Sequence, residues 1–276
     1  VEPITLLLRD LVAERTGIYV DEYSLDIFMD KLSPLVLERG FSPLDYYYLL
    51  KYDASAAEEW ARVVDAISTR ETFFWREFEQ IRSLTDHILP RFFAQPAGRR
   101  FRVWSAACAS GEEPLTIAKA IVEAGFGNYP IEILASDASP AAIATARRGI
   151  YRERSFRNLD PNLRQRYFHP LEGGWGVNRD LHERVRWTTA NLLNDEEIAP
   201  LAESHVIFCR NVFIYFQPAN IRKVIQTFAR QMIPPAWLFV GAPESLVRLS
   251  SQFELREIGN AFAYSRIDGG EKAWIA

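Results

Sequence analysis

Phe101-Arg102-Val103-Trp104-Ser105-Ala106-Ala107-Cys108-Ala109-Ser110-Gly111-Glu112-Glu113-Pro114-Leu115-Thr116-Ile117-Ala118 is the stretch whose reading decides the fold. It opens as a strand, with Phe101, Val103 and Trp104 bringing aromatic and β-branched character after the polar Arg99-Arg100. It turns through small residues from Ser105 to Gly111. Glu112-Glu113-Pro114 then starts a helix, with acids and a proline in its first turn. Strand, small-residue loop and helix start make a nucleotide-type cradle, in which a ligand approaches the backbone closely and free helix N–H groups face the gap. No G-x-G-x-x-G and no Walker lysine occurs in it, and its two acids repel phosphate. The loop suits a ligand that carries a positive charge and lacks phosphates. S-adenosyl-L-methionine (SAM), with its adenosine, sulfonium and amino-acid tail, has that chemistry. A plain strand-to-helix turn with a polar cap has the same outline.

Outward from this stretch, strand and helix alternate. Residues 101–105, 131–136, 186–189, 205–209 and 237–241 read as strands. Helices are predicted over 114–124, 140–148 and 218–232, and residues 254–258 and 261–267 pair about Gly259-Asn260 as a hairpin. Alternating elements closed by a terminal hairpin predict an α/β, doubly wound, mostly parallel sheet. Residues 147–186 break the rhythm: ten arginines (147, 148, 152, 154, 157, 164, 166, 179, 184 and 186) face five acids around Gly173-Gly174-Trp175-Gly176. The segment reads as a solvated face or as a docking surface for an acidic partner.

Before the sheet, residues 1–67 predict an all-helical unit. Leu7, Leu8, Leu11 and Val12 recur at helical spacing before Gly17, and further apolar stripes follow over 24–38, 43–50 and 54–67. Residues 68–95 connect the two parts. Ser68-Thr69-Arg70-Glu71-Thr72 is read as the cap of a helix that already includes Phe73, Phe74 and Trp75 and runs on through Phe78, Ile81 and Leu84.

The 276 residues are 48% hydrophobic and 25% charged, an ordinary soluble balance. A net charge of −4 does not favour non-specific nucleic-acid binding. Cys108 and Cys209 make no metal pattern and read as reduced thiols of a cytoplasmic protein. No run approaches the roughly 18 apolar residues of a membrane span.

Two strand ends carry candidate chemistry. Asp137 closes the second strand, where an acid binds the ribose hydroxyls of an adenosine; capping the helix at Pro140 is the other reading. Phe208-Cys209-Arg210-Asn211-Val212-Phe213-Ile214-Tyr215-Phe216 follows the fourth strand, so Arg210 and Asn211 emerge at the crevice. Tyr215 follows as a hydroxyl donor to an incoming nucleophile or as a core tyrosine.

Taken together, Thr72-Phe73-Phe74-Trp75-Arg76-Glu77, the loop from Trp104 to Pro114, Ala135-Ser136-Asp137, Gly149-Ile150-Tyr151 and the 208–216 motif resemble the CheR family, the chemotaxis-receptor glutamate O-methyltransferases. Thr16-Gly17-Ile18 is also similar to that family's N-terminal domain. The resemblance implies a seven-stranded class I SAM-methyltransferase sheet in residues 96–276. It also implies a small antiparallel β-subdomain inserted at about 166–189. By motif matching it implies that Thr72, Arg76, Glu112, Asp137, Asn191, Leu192, Arg210 and Asn211 contact SAM. Arg76 and Tyr215 would face the reacting centre, with no metal. The product would be a glutamyl methyl ester plus S-adenosyl-L-homocysteine. The partner would be the cytoplasmic helical domain of a methyl-accepting receptor, with no nucleic acid and no membrane insertion. The resemblance leaves room for further domains after Ala276 in a longer parent chain.

The chain departs from the family at three places. Arg70 stands where an asparagine is usual, and Gly241-Ala242-Pro243-Glu244-Ser245 replaces a Gly-His-Ser-Glu-type turn. Residues 1–66 carry 6 Lys/Arg against 13 Asp/Glu, where the family presents a basic face to its receptor. Two other functions compete: an RNA methyltransferase using the arginine-rich segment, and a non-catalytic SAM- or partner-binding signalling module. Against the first, Arg210-Asn211-Val212-Phe213 occupies the place of an Asn-Pro-Pro-Tyr-like amino-methylation turn. Carboxyl methylation needs no general base, because a glutamate with a pKa of about 4.3 is already an anion near pH 7. It needs alignment.

Overall fold

The computed structural model describes residues 2–69, 71–95 and 99–267; Arg70 lies outside the described residues. The chain starts with α1 (Pro3–Thr16), α2 (Leu25–Glu38), α3 (Pro43–Tyr52) and α4 (Ala57–Ile67). These bury one apolar face each around Leu8, Val12, Phe28, Leu32, Tyr46 and Trp60. Ser42 and Asp45 close a capping box at the start of α3. Beneath this core the buried Glu59 carboxylate is met by Arg39, by Arg62 and by the Tyr46 hydroxyl at 2.9 Å.

The connecting segment differs from its sequence reading. Its first helix, α5, spans Phe78–Ser83 and continues through a wider π-type turn, Leu84–Ile88, into α6 (Leu89–Phe93). The aromatic run before it is not helical. Trp75 and Glu77 have φ of 67° and 48°, the left-handed region. Tertiary bonds set this path: the Phe74 N–H donates to the Ser155 carbonyl at 2.9 Å, and the Trp75 N–H to the Thr116 hydroxyl at 3.4 Å.

The second part is one twisted sheet with helices on both faces. Its strands and helices run β1 (Phe101–Ala106), α7 (Glu112–Glu123), β2 (Ile131–Asp137), α8 (Pro140–Arg148), then an insertion. The insertion holds β3 (Ile150–Tyr151), α9 (Pro161–Tyr167), β4 (Phe168–Leu171), β5 (Gly174–Val177) and α10 (Arg179–His182). The main sheet resumes with β6 (Val185–Thr189), α11 (Asp195–Ala202), β7 (Val206–Cys209), α12 (Pro218–Gln231), β8 (Trp237–Phe239), β9 (Phe253–Ile258) and β10 (Ala261–Arg266). The order is β6-β2-β1-β7-β8-β10-β9, parallel through β8 and antiparallel in the last hairpin. Strand order reverses between β1 and β7, so the crevice outside their carboxyl ends is the expected ligand position. The alternation of β1 decides its two cores: Phe101 and Val103 face one helical layer, Trp104 and Ala106 the other.

The small sheet has the order β3-β5-β4, all antiparallel. The 166–189 span named for the insertion therefore divides: β4 and β5 join β3 in the small sheet, while β6 is the edge strand of the main one. Five of the segment's arginines pair with carboxylates of their own chain: Arg157 with Glu71, Arg164 with Glu153, Arg166 with Glu123, Arg179 with Glu183, and Arg186 with Glu132.

Lys119 of α7 lies fully buried where the insertion meets the Phe73–Glu77 turns. Its ammonium sits 4.1 Å from the Trp75 ring centroid and 5.2 to 6.0 Å from those of Phe74, Phe168 and Tyr167. It has no hydrogen-bond acceptor among the described residues, and burial lowers its pKa to about 7 against the opposing field of Glu123.

Candidate active site

A cavity opens at the carboxyl ends of β1, β2 and β7, with about 1030 Å³ of empty space counting the solvent at its mouth. Its floor is the Ala107–Cys108–Ala109 loop. Ala107 and Ala109 hold φ of 59° and 48°, and Asn211 across the cavity 59°. Together with Trp75 and Glu77 these are the non-glycine residues of positive φ among those described, and all five border one crevice or its flanking turn. Gly111 ends the loop at φ 97°; a Cβ there would lie 2.8 Å from the Trp187 ring.

Asp137, at the end of β2, is fixed on the wall by two backbone donors, Ala109 N–H at 2.8 Å and Ser139 N–H at 2.9 Å. The neighbouring acids Glu112 and Glu113 part company. Glu113 lines the cavity, receives the Ser105 hydroxyl at 2.6 Å and pairs with Arg210 at 2.7 Å. Glu112 is 2% exposed and lies behind the wall, accepting from the Ser110 and Ser155 hydroxyls at 2.7 and 2.8 Å. Burial raises its pKa above the usual carboxylate range, partly offset by those hydroxyls. Of the sequence-predicted cofactor contacts, Thr72, Arg76, Asp137, Asn191, Leu192, Arg210 and Asn211 line the one cavity and Glu112 does not.

Arg76 and Tyr215 line the same cavity, although one precedes the sheet and the other follows its fourth parallel strand. Glu77 links them. Its carbonyl accepts from Arg210 at 3.2 Å, and its carboxylate accepts from the Asn211 amide at 3.4 Å and the Ala242 N–H at 3.3 Å. The half-buried Glu244 then ties down the turn that carries Tyr215. Its oxygens accept from the N–H groups of Gly241 at 2.6 Å, Asn211 at 2.8 Å and Ile214 at 3.2 Å. Cys108 also faces the cavity, but burial and the Asp137 charge push its thiol well up, so it is a neutral lining group.

Sequence reasoning missed the fourth wall. Thr16, Ile18, Ile67, Ser68 and Thr69 of the helical unit and its exit line the cavity. The unit is sewn on beside them: Tyr19 N–H donates to the Tyr215 carbonyl at 2.8 Å, the Asn191 amide to the Arg15 carbonyl at 2.7 Å, and Ile18 bridges Phe216. Asp65 of α4 accepts from Ser139 and from the Ala141 N–H, next to Asp137. The similarity of Thr16-Gly17-Ile18 to the family's N-terminal domain was the one signal in the sequence.

A family model described as CheR methyltransferase, SAM binding domain, matches residues 70–262. The chain belongs to the CheR methyltransferase family. Chemotaxis protein methyltransferase 2 of Vibrio cholerae serotype O1 is 34% identical over 268 residues, 95% of this chain and 92% of that protein. The chemotaxis protein methyltransferase of Escherichia coli K12 is 31% identical over 255 residues, 90% of this chain and 86% of that one. Chemotaxis protein methyltransferase 1 of Pseudomonas aeruginosa is 29% identical, covering 94% and 96%. The cofactor of this CheR chain is therefore SAM. The cavity fits it: small residues floor it, Asp137 and Glu113 carry negative charge into it, and Arg210 in its wall is paired with Glu113. No helix among the described residues is long and apolar enough to cross a membrane.

Proposed function

We propose that this CheR chain methylates glutamate side chains in the cytoplasmic helical domain of a methyl-accepting receptor, giving glutamyl methyl esters and S-adenosyl-L-homocysteine. The observation that carries the reading is the presence of Arg76 and Tyr215 in the cavity that Asp137 and the small-residue loop define. Asp137 holds the ribose hydroxyls, and Asn191-Leu192 border the adenine. Thr72, Arg210 and Asn211 shape the remaining cofactor wall, with Glu113 at their side. SAM bound there supplies a methyl on a sulfonium whose sulfur leaves as a neutral thioether.

The rest of the chemistry belongs to the chain. The acceptor carboxylate arrives already ionised, so no side chain need take a proton. None of the four histidines lines the cavity. Arg76 presents a planar, permanently charged fork that sets the carboxylate in line, with reacting atoms about 3–3.5 Å apart. Tyr215 offers one neutral donor to the same group. Both bonds must be modest, because tight solvation of the carboxylate lowers its nucleophilicity.

The test is incubation with methyl-labelled SAM and receptor cytoplasmic domains, followed by mild base. Volatile labelled methanol is expected from a carboxyl ester. Label that stays on protein or RNA through the base treatment, or SAM binding with no transfer at all, sinks the proposal.

A further inference from the structure

Arg76 is held by a closed ring of contacts that reaches into the insertion. The Arg157 guanidinium lies 3.7 Å from the Phe73 ring centroid and that of Arg76 lies 5.7 Å from the same centroid. Glu71 joins the two cations again. Its carboxylate pairs with Arg157 at 2.7 Å, and its carbonyl accepts from Arg76 at 2.8 Å. Arg157 therefore holds both partners of Arg76, the ring and Glu71, while its own side chain is 45% exposed. Phe73, Glu71 and Arg76 line the cavity and Arg157 does not.

We propose that Arg157 is a positioning residue for methyl transfer, acting only through Arg76. Its guanidinium lies over the Phe73 ring, a planar group where a lysine would offer only a point charge, and so fixes the ring against which Arg76 rests. It also occupies the Glu71 carboxylate. Without Arg157 that carboxylate is an anion with Arg76 and Arg154 near it, and an Arg76–Glu71 pair takes the fork away from the acceptor. The segment is anchored for this task, because Ser155 holds both the Phe74 N–H and the buried Glu112. Arg154 adds positive charge near the same Glu71 carboxylate, which Arg157 foremost holds below the usual range.

This inference rests on the proposed glutamate methylation, and the experiment keeps the two apart. Steady-state methylation of a receptor domain is measured for Arg157→Ala and Arg157→Lys, with unfolding midpoints as a control on folding. Both variants are expected to lower kcat about three- to tenfold, the scale of a lost cation–ring contact and its pair, with KM for receptor little changed. In an Arg76→Lys background the further loss from Arg157→Ala is expected to fall within about twofold. Unchanged kcat, a rise in KM alone, or an equal loss in the Arg76→Lys background overturns the proposal. The Arg76 Nε–H resonance in a nitrogen-correlated spectrum reads the same contact without turnover. Broadening or loss of that signal in Arg157→Ala supports the positioning role even if receptor methylation itself fails in the wild type. An equally ordered Arg76 overturns it.

Discussion

Tyr215 is half-buried on the cavity wall, and its backbone is held from both sides, by the Tyr19 N–H and by the Val212 carbonyl. Tyr215→Phe keeps that packing and removes one donor, so turnover on receptor is expected to fall about tenfold while SAM affinity stays within twofold. Wild-type turnover would leave the hydroxyl without a part in the reaction. Asp137→Ala is the complementary change. It deletes a charged acceptor held by two backbone N–H groups at the strand end, and SAM binding measured by calorimetry is expected to weaken by roughly 1.5–3 kcal/mol. Unaltered affinity would take Asp137 out of the ribose contact. Asp137 was legible because a strand's last residue points into the crevice by position alone. Glu112 and Glu113 were not separable in that way. Adjacent residues of a helix are about 100° apart, so one must face the cavity and the other the protein, and the phase is set by packing that no local pattern records.

At the scale of elements, long periodic segments were legible and short irregular ones were not. Residues 101–105 and 131–136 were expected as strands and form most of β1 and β2. β3, only two residues long, carries no periodicity that could announce it. Phe74 and Trp75 imitate a helical stripe because they do pack inward, yet their backbone is committed to Ser155 and Thr116 instead of to itself. Lys119 sits behind that turn and makes the joint pH-dependent. In the unfolded chain a lysine titrates near 10.4, whereas burial brings the folded value to about 7. Between those values the unfolded chain binds a proton that the folded one lacks, so stability rises with pH across that window and is lowest below about 7. Lys119→Met keeps the volume and removes the buried ammonium, while the aromatic faces that offset part of its cost remain. The variant is expected to be more stable than wild type by roughly 2 kcal/mol at pH 6, with the gain shrinking toward pH 9. Denaturant unfolding at the two pH values checks it. A wild type more stable at pH 6 would mean that the ring cage outweighs the desolvation.

At the scale of the whole molecule, the helical unit is part of the cofactor cavity, and one glycine sets how closely it docks. Gly17 ends α1 at φ 83°, and a Cβ there would meet Cζ of Phe216 at 2.5 Å. Phe216 follows Tyr215 and bridges Ile18, so the ring that would have to move belongs to the turn carrying the proposed donor. Gly17→Ala therefore adds left-handed strain and pushes the unit off the sheet, without touching its core around Phe28, Tyr46 and Trp60. Thr16 and Ile18 line the cavity on either side of this residue, and Asp65 caps α8 beside Asp137. Opening the seam should thus be felt by SAM, although Gly17 itself contacts none of the cavity. A loss of about 1–2 kcal/mol in SAM affinity is expected, roughly five- to thirtyfold in Kd, together with a lower kcat on receptor because Tyr215 loses its fixed turn. Calorimetry on the full chain reads the first and the methanol-release assay the second. If Kd holds while only the unfolding midpoint drops, the helical unit rests on the catalytic sheet without closing the cavity, and the coupling through Phe216 is wrong.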